Sequence, residues 1–167
     1  KIAWFPSAID DRYFKPMNLS KTFDAIWLGS HTRKYTEQLE REIGLYRGLK
    51  SGLDYIKTIA SAKVFVNSRA CGEGDIPYKN FECIGVGTCV VCDYDIAYEE
   101  LGFIDGVNCY FFNDYNECKE KVLLALSNNN WERIGYKGLD LSKNHTYTKR
   151  IERLYKILHG TIKGIDF

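Results

Sequence analysis

At 167 residues the chain has room for one domain with a sizeable core and too little for two. Hydrophobic residues at 45% and aromatics at 14% exclude a disordered segment. A formal charge of +1, from 23 basic and 22 acidic residues, leaves no electrostatic footprint for nucleic acid or another strongly anionic partner.

No apolar run reaches the length of a membrane span and the N-terminus lacks a signal-peptide layout, so a cytoplasmic location is expected. The chain begins at Lys1 and not at Met, which suggests a fragment of a longer protein.

In chain order, the apolar run FDAIWLG at 23–29 reads as the first core strand. Residues 35–43 follow as a helix, with Tyr35, Leu39 and Ile43 at i, i+4, i+8. A strand, a turn at Gly29 and Ser30 and a helix start make an anion site, because first-turn amides lack helical partners. Arg33 and Lys34 are candidate cations there, against the alternative of a solvated helix start. Residues 44–48, GLYRG, read as a short second strand. A helix over 53–62 places Leu53, Ile56, Ile59 and Ala60 inward, and VFVN at 64–67 is a third strand running out to Arg69.

The stretch 72–95 then reads as a glycine-bearing loop, a helix over 76–86, a glycine stop and a strand buried on both faces at 88–92. Ile76, Phe81 and Ile84 form the inward face of the helix, while Asp75, Lys79 and Glu82 share another. Gly85 suits a close approach and Gly87 a helix end. A short helix at 97–102, a turn and strand at 106–112 and a helix at 115–126 follow. In that last helix Cys118, Val122 and Ala125 or Leu126 point inward. Two terminal helices, 131–141 and 147–158, complete a doubly wound, Rossmann-like α/β fold with a parallel sheet. The expected organisation is a single domain over 1–167, with an entry segment at 1–18 and a terminal helical segment at 142–167. Ligands of such sheets bind at the carboxyl ends of the strands.

Six cysteines invite a metal or disulfide reading, which their spacing opposes. Cys89 and Cys92 form a CxxC, but residues three apart in a strand point to opposite faces. Cys71, Cys83, Cys109 and Cys118 lie apart, so all are expected to be reduced, buried small hydrophobes. No paired carboxylates stand at metal-ligand spacing. His31, His145 and His159 offer no convincing general base, and His145 suits capping or packing. Gly85-Val86-Gly87 precedes a strand and not a helix, so it is no dinucleotide fingerprint.

The run KNFECIGVGTCVV at 79–91 resembles the "R-x-F-E-A-x-A-C-G-T-P-V-V" segment of GT-B glycosyltransferases, in the group-1, spore-maturation-protein-like branch. The resemblance extends to both ends. Pro6, Asp10, Phe14 and Pro16 match the segment that follows the interdomain hinge, with Ala8 in place of the usual glycine. Asp105 and Asn108 match a family turn in which Cys109 replaces glycine. His145, Thr146, Tyr147, Arg150 and Leu154 match the family's ending. The interval between the first and third strands is short for the family, which leaves room for a missing or trimmed peripheral strand or helix.

The resemblance implies the C-terminal, donor-binding half of an enzyme that transfers a sugar from a nucleoside-diphosphate sugar to an unidentified acceptor. Glu82 would accept the ribose hydroxyls and Lys79 would lie near the diphosphate. The loop at Ser30 would approach the phosphates, and Arg47 and Gly48 the base. Arg69 either reaches the diphosphate or pairs with Glu73. Where many retaining members carry an acid, this chain has Gly74, flanked by Glu73 and Asp75, so the sugar contact and the stereochemical outcome stay open. No metal or other cofactor is implied, and no catalytic residue is assigned.

The acceptor-binding domain would precede Lys1, so this chain alone would bind donor and transfer little. It would also expose an apolar strip along Tyr147, Ile151, Leu154 and Leu158. Two other readings compete: a non-catalytic nucleotide-binding or protein-interaction module of the same fold, and a receiver-like protein. The latter wants clustered acids after the first strand, where this chain has Gly29-Ser30-His31.

Overall fold

The structure is a computed structural model that describes residues 5–29, 35–68 and 76–160. Five parallel strands form one sheet in the order β2-β1-β3-β4-β5, comprising β1 Phe23–Leu28, β2 Tyr46–Gly48, β3 Ala62–Asn67, β4 Cys89–Asp93 and β5 Tyr110–Phe112. The helices between and after them are α1 Thr36–Ile43, α2 Gly52–Ala60, α3 Tyr78–Gly85, α4 Ile96–Glu100, α5 Tyr115–Leu126, α6 Asn130–Ser142 and α7 Tyr147–Leu158. A single 3-10 turn, Ser127–Asn129, joins α5 to α6. The alternation expected from the sequence is therefore present, and the strands do pair in parallel.

Period-2 alternation divides the strand side chains between two cores. Ile26, Leu28, Phe65, Val90, Cys92 and Phe111 pack beneath α2, α3 and α4. Trp27, Val64, Val66, Cys89, Val91 and Phe112 pack against Leu39 of α1, Cys118, Val122 and Ala125 of α5, and Ile134 of α6. Cys89 and Cys92 thus enter opposite cores, which removes the chelating reading of their CxxC. All five described cysteines are buried and unpaired. Among the described residues no helix is long and apolar enough to cross a membrane.

Three expectations need correction. The helix placed over 76–86 starts only at Tyr78, after Pro77, so Ile76 is buried but precedes it and is not part of its inward face. Leu53 is 57% exposed and not inward, because it lies in the first turn of α2, at a level where β1 and β2 have already ended. The helix also stops at Ala60, and Ala62 already pairs with Phe23 as the first residue of β3.

The glycines anticipated around α3 behave as their positions demand. A Cβ on Gly85 would meet Ile9 Cδ1 at 2.9 Å and the Phe14 carbonyl at 3.1 Å, so the entry segment lies directly on this helix. Gly87 takes φ +80 to end it. Gly135 and Gly138 of α6, unremarked in the sequence, let that helix settle onto the α3–β4 turn. A Cβ on the first would collide with the Gly87 carbonyl, and one on the second would come within 3.0 Å of Ile84 Cγ2.

The entry segment is stitched to the start of α7 and the residues just before it. Ile9 N–H donates to His145 O and Tyr147 N–H to Ile9 O, both at 2.9 Å. Buried Arg150 donates to the carbonyls of Pro6 and Ser7 and to His145 Nδ1, the last at 2.7 Å. That bond requires the Nε2–H tautomer of His145, which donates to Leu101 O at 2.8 Å. Burial first, and then the Arg150 charge, hold the imidazole pKa down at about 4. His145 is therefore a packed, neutral joint, as its position suggested.

Candidate functional site

A cleft of about 320 Å3 opens at the carboxyl ends of β1 and β2, between the starts of α2 and α3. Leu28 and Gly29 form its floor, Leu49 to Gly52 one wall, and Tyr78, Lys79 and Glu82 the other, with Tyr55 between them. This is where a parallel α/β sheet offers free strand ends and helix N-termini to a ligand.

Lys79 and Glu82 lie one turn apart on α3, and both are half-buried. Lys79 Nζ donates to the carbonyl of Leu28 at 2.6 Å, which moors the cation to the end of β1. Beside it, Gly29 leaves room that a side chain would fill, since its Cβ would strike the Trp27 ring at 2.7 Å. Glu82 Oε2 accepts from the hydroxyl of Tyr55 at 2.7 Å. Burial pushes the Glu82 carboxyl above its ordinary value, opposed by the Tyr55 bond and the Lys79 charge. Burial likewise raises the Tyr55 phenol, and the neighbouring Cys83 and Glu82 reinforce it, so this hydroxyl is a proton donor at any physiological pH.

The start of α3 is fixed from below by a buried polar chain. Asn67, at the end of β3, donates to Asn80 Oδ1 at 2.8 Å, and Asn80 Nδ2 donates to the Tyr98 hydroxyl of α4. Neither Tyr55 nor Asn80 was singled out in the sequence. Asn80 lies within the 79–91 run, but its partners come from two other elements.

Of the anticipated site residues, Lys79 and Glu82 meet in the cleft. Arg47 does not reach it. The alternation of β2 turns its side chain towards α1, where it pairs with Glu40 at 2.8 Å and approaches Glu37 at 3.9 Å. Ser30, Arg33, Lys34, Arg69, Glu73, Gly74 and Asp75 lie outside the described residues. Asp105 and Asn108 build the turn before β5: Asp105 accepts from Phe111 N–H, and Asn108 bridges Ile104 N–H and Gly102 O.

A larger concavity, about 740 Å3, lies at the other edge of the sheet beside β5. Glu99, Asp105, Glu117 and Glu120 line it against a single Lys121, a charge balance that repels a diphosphate. The smaller cleft therefore fits an anion better. No group of three or more His, Cys, Asp or Glu residues poised to hold a metal ion occurs among the described residues.

The model of a family described as glycosyl transferase-like matches residues 14–156. No curated protein sequence matches the chain. Among solved structures, HepE from Anabaena in complex with UDP-glucose superposes with a TM-score of 0.71 at 11% identity, over 96% of this chain and 57% of HepE. Sucrose-phosphate synthase from Thermosynechococcus elongatus gives 0.68 at 14% identity, over 95% of this chain and 53% of that enzyme. The isolated C-terminal domain of the group-1 glycosyl transferase LpcC from Francisella tularensis gives 0.59 at 13% identity, over 81% of this chain and 97% of that domain. The chain thus spans about half the length of the first two, and at these identities the likeness concerns the fold.

Proposed function

The chain belongs to the glycosyl transferase-like family, and we propose that it is the donor-binding half of a glycosyltransferase that takes a nucleoside-diphosphate sugar. The observation that carries this reading is the convergence of Lys79 and Glu82 in one cleft at the carboxyl edge of the sheet. A carboxylate suits a ribose diol, because each hydroxyl can donate a charge-assisted hydrogen bond. A half-buried ammonium at a strand end suits the diphosphate. HepE with UDP-glucose and the pneumococcal O-GlcNAc transferase GtfA with UDP and GlcNAc share the fold, which makes a uridine nucleotide the first ligand to try.

In transfer, the bond between the sugar's anomeric carbon and the diphosphate oxygen breaks as an acceptor oxygen attacks that carbon. The negative charge that develops on the leaving diphosphate would be met by Lys79 and by free amides at the helix starts. The attacking group and its base would come from a second, acceptor-binding domain. Supporting that arrangement, Tyr147, Ile151, Leu154 and Leu158 of α7 are all exposed, as expected of a strip that another domain covers. We place the protein in the cytoplasm, where the buried, unpaired cysteines stay reduced.

Calorimetry of the 167-residue chain with UDP, GDP and ADP, paired with an assay for released nucleotide, tests both halves of the reading. Binding of one diphosphate without efficient transfer is the expected result. Failure to bind any of the three would sink the donor assignment, and brisk transfer to an added acceptor would sink the half-enzyme reading.

A further inference from the structure

We propose that Tyr55 is a positioning residue for the donor, holding the Glu82 carboxylate in the orientation that receives the ribose hydroxyls. This rests on the reading of the cleft as a nucleoside-diphosphate site. The two residues are 27 positions apart in sequence and on different helices, yet the Tyr55 hydroxyl donates to Glu82 Oε2 at 2.7 Å. Among the described residues it is the one hydrogen-bond donor to that carboxylate.

Three features make the contact more than incidental. The Tyr55 ring is itself held, its edge set against Phe14 of the entry segment at 6.4 Å and 75°. Glu82 pays a burial penalty as an anion, and the phenol offsets part of it without bringing a second charge into the site. One oxygen, Oε1, remains for a ligand, and a carboxylate oxygen has two lone pairs with which to accept a diol. A glutamate on the rim of a cleft has three rotatable bonds, so fixing one oxygen reduces the ordering that a ligand would otherwise have to impose.

The test is Tyr55→Phe, which removes the hydroxyl and keeps the ring packed on Phe14. Calorimetry compares UDP with its 2′,3′-dideoxy analogue, which offers Glu82 no hydroxyl to accept. The substitution is expected to weaken UDP about 3- to 10-fold and to leave the dideoxy analogue unchanged. Equal weakening of both would mean that Tyr55 only supports the fold, and no change in either would mean that it plays no part. Both results overturn the proposal.

A second measurement needs no ligand. Titration of the Glu82 carboxyl carbon by NMR should show a higher midpoint in Tyr55→Phe than in the wild type. The other groups facing Glu82, Tyr78, Lys79 and Cys83 on α3 and Lys50 across the cleft, are the same in both proteins. An unmoved midpoint refutes the hold of Tyr55 on the carboxylate. If the wild type binds none of UDP, GDP and ADP, the donor reading itself falls, and the role in ribose recognition falls with it.

Discussion

Lys79 Nζ donates to the carbonyl of Leu28 at 2.6 Å, so the cation carried by α3 is tied to the carboxyl end of β1. A long side chain that would otherwise sample many rotamers is thereby already ordered at the point where strand ends and helix starts converge. Replacing it should therefore be felt by the phosphates of a ligand and not by its base or ribose. Lys79→Ala is expected to weaken UDP about 10-fold and to leave uridine unaffected. Paired titrations with the two ligands check this, and equal losses for both would refute a phosphate contact.

Glu82→Ala should weaken UDP by about 10-fold or more, through loss of charge-assisted bonds to the ribose. Its melting temperature should hardly move, because the carboxylate is half-buried in a cleft and its ionised form is disfavoured by burial. The raised carboxyl pKa also sets a pH dependence. Glu82 protonates at a higher pH than an exposed glutamate, so UDP binding should weaken on acidification sooner than the ordinary glutamate value would dictate. Glu82→Gln should remove that dependence, and titrations across the acidic range would show whether it does.

Asn80 sits at the centre of the buried chain from Asn67 to Tyr98. Asn80→Ala deletes both side-chain bonds and leaves the Asn67 amide without that acceptor. The expected cost is about 1–3 kcal/mol, measured by urea denaturation. A neutral result would show that water replaces the lost partners.

His145 makes stability depend on pH with a definite sign. Its pKa is held at about 4 in the folded protein against an ordinary 6.5. Between those values the unfolded chain binds a proton that the folded chain refuses, so stability falls as pH drops through this window. The full effect is on the order of 3 kcal/mol. Denaturation at neutral and acid pH should show a smaller loss for His145→Gln than for the wild type, and identical losses would contradict a neutral, buried imidazole.

Local periodicity carried most of the architecture. The apolar runs in FDAIWL and CVVCD marked buried strands, and the spacing of Cys118, Val122 and Ala125 marked a helix face, because side-chain direction follows from backbone geometry alone. The same rule separated Cys89 from Cys92. Lys79 and Glu82 were legible together because both lie on one helix, within a run that resembles a known motif.

Whatever depends on two elements meeting had to wait for the tertiary structure. Arg47 was a cleft candidate through the family resemblance, but the face of β2 on which it falls delivers it to Glu37 and Glu40 of α1. Tyr55 looked like one more residue of an amphipathic helix until α2 and α3 were set side by side, where its hydroxyl meets Glu82. The entry segment and the His145–Arg150 ending gave no sign in their own residues that they bond to each other. Sequence spacing determines which way a side chain leaves its own backbone, whereas its partners depend on strand order and helix packing, which no single segment encodes.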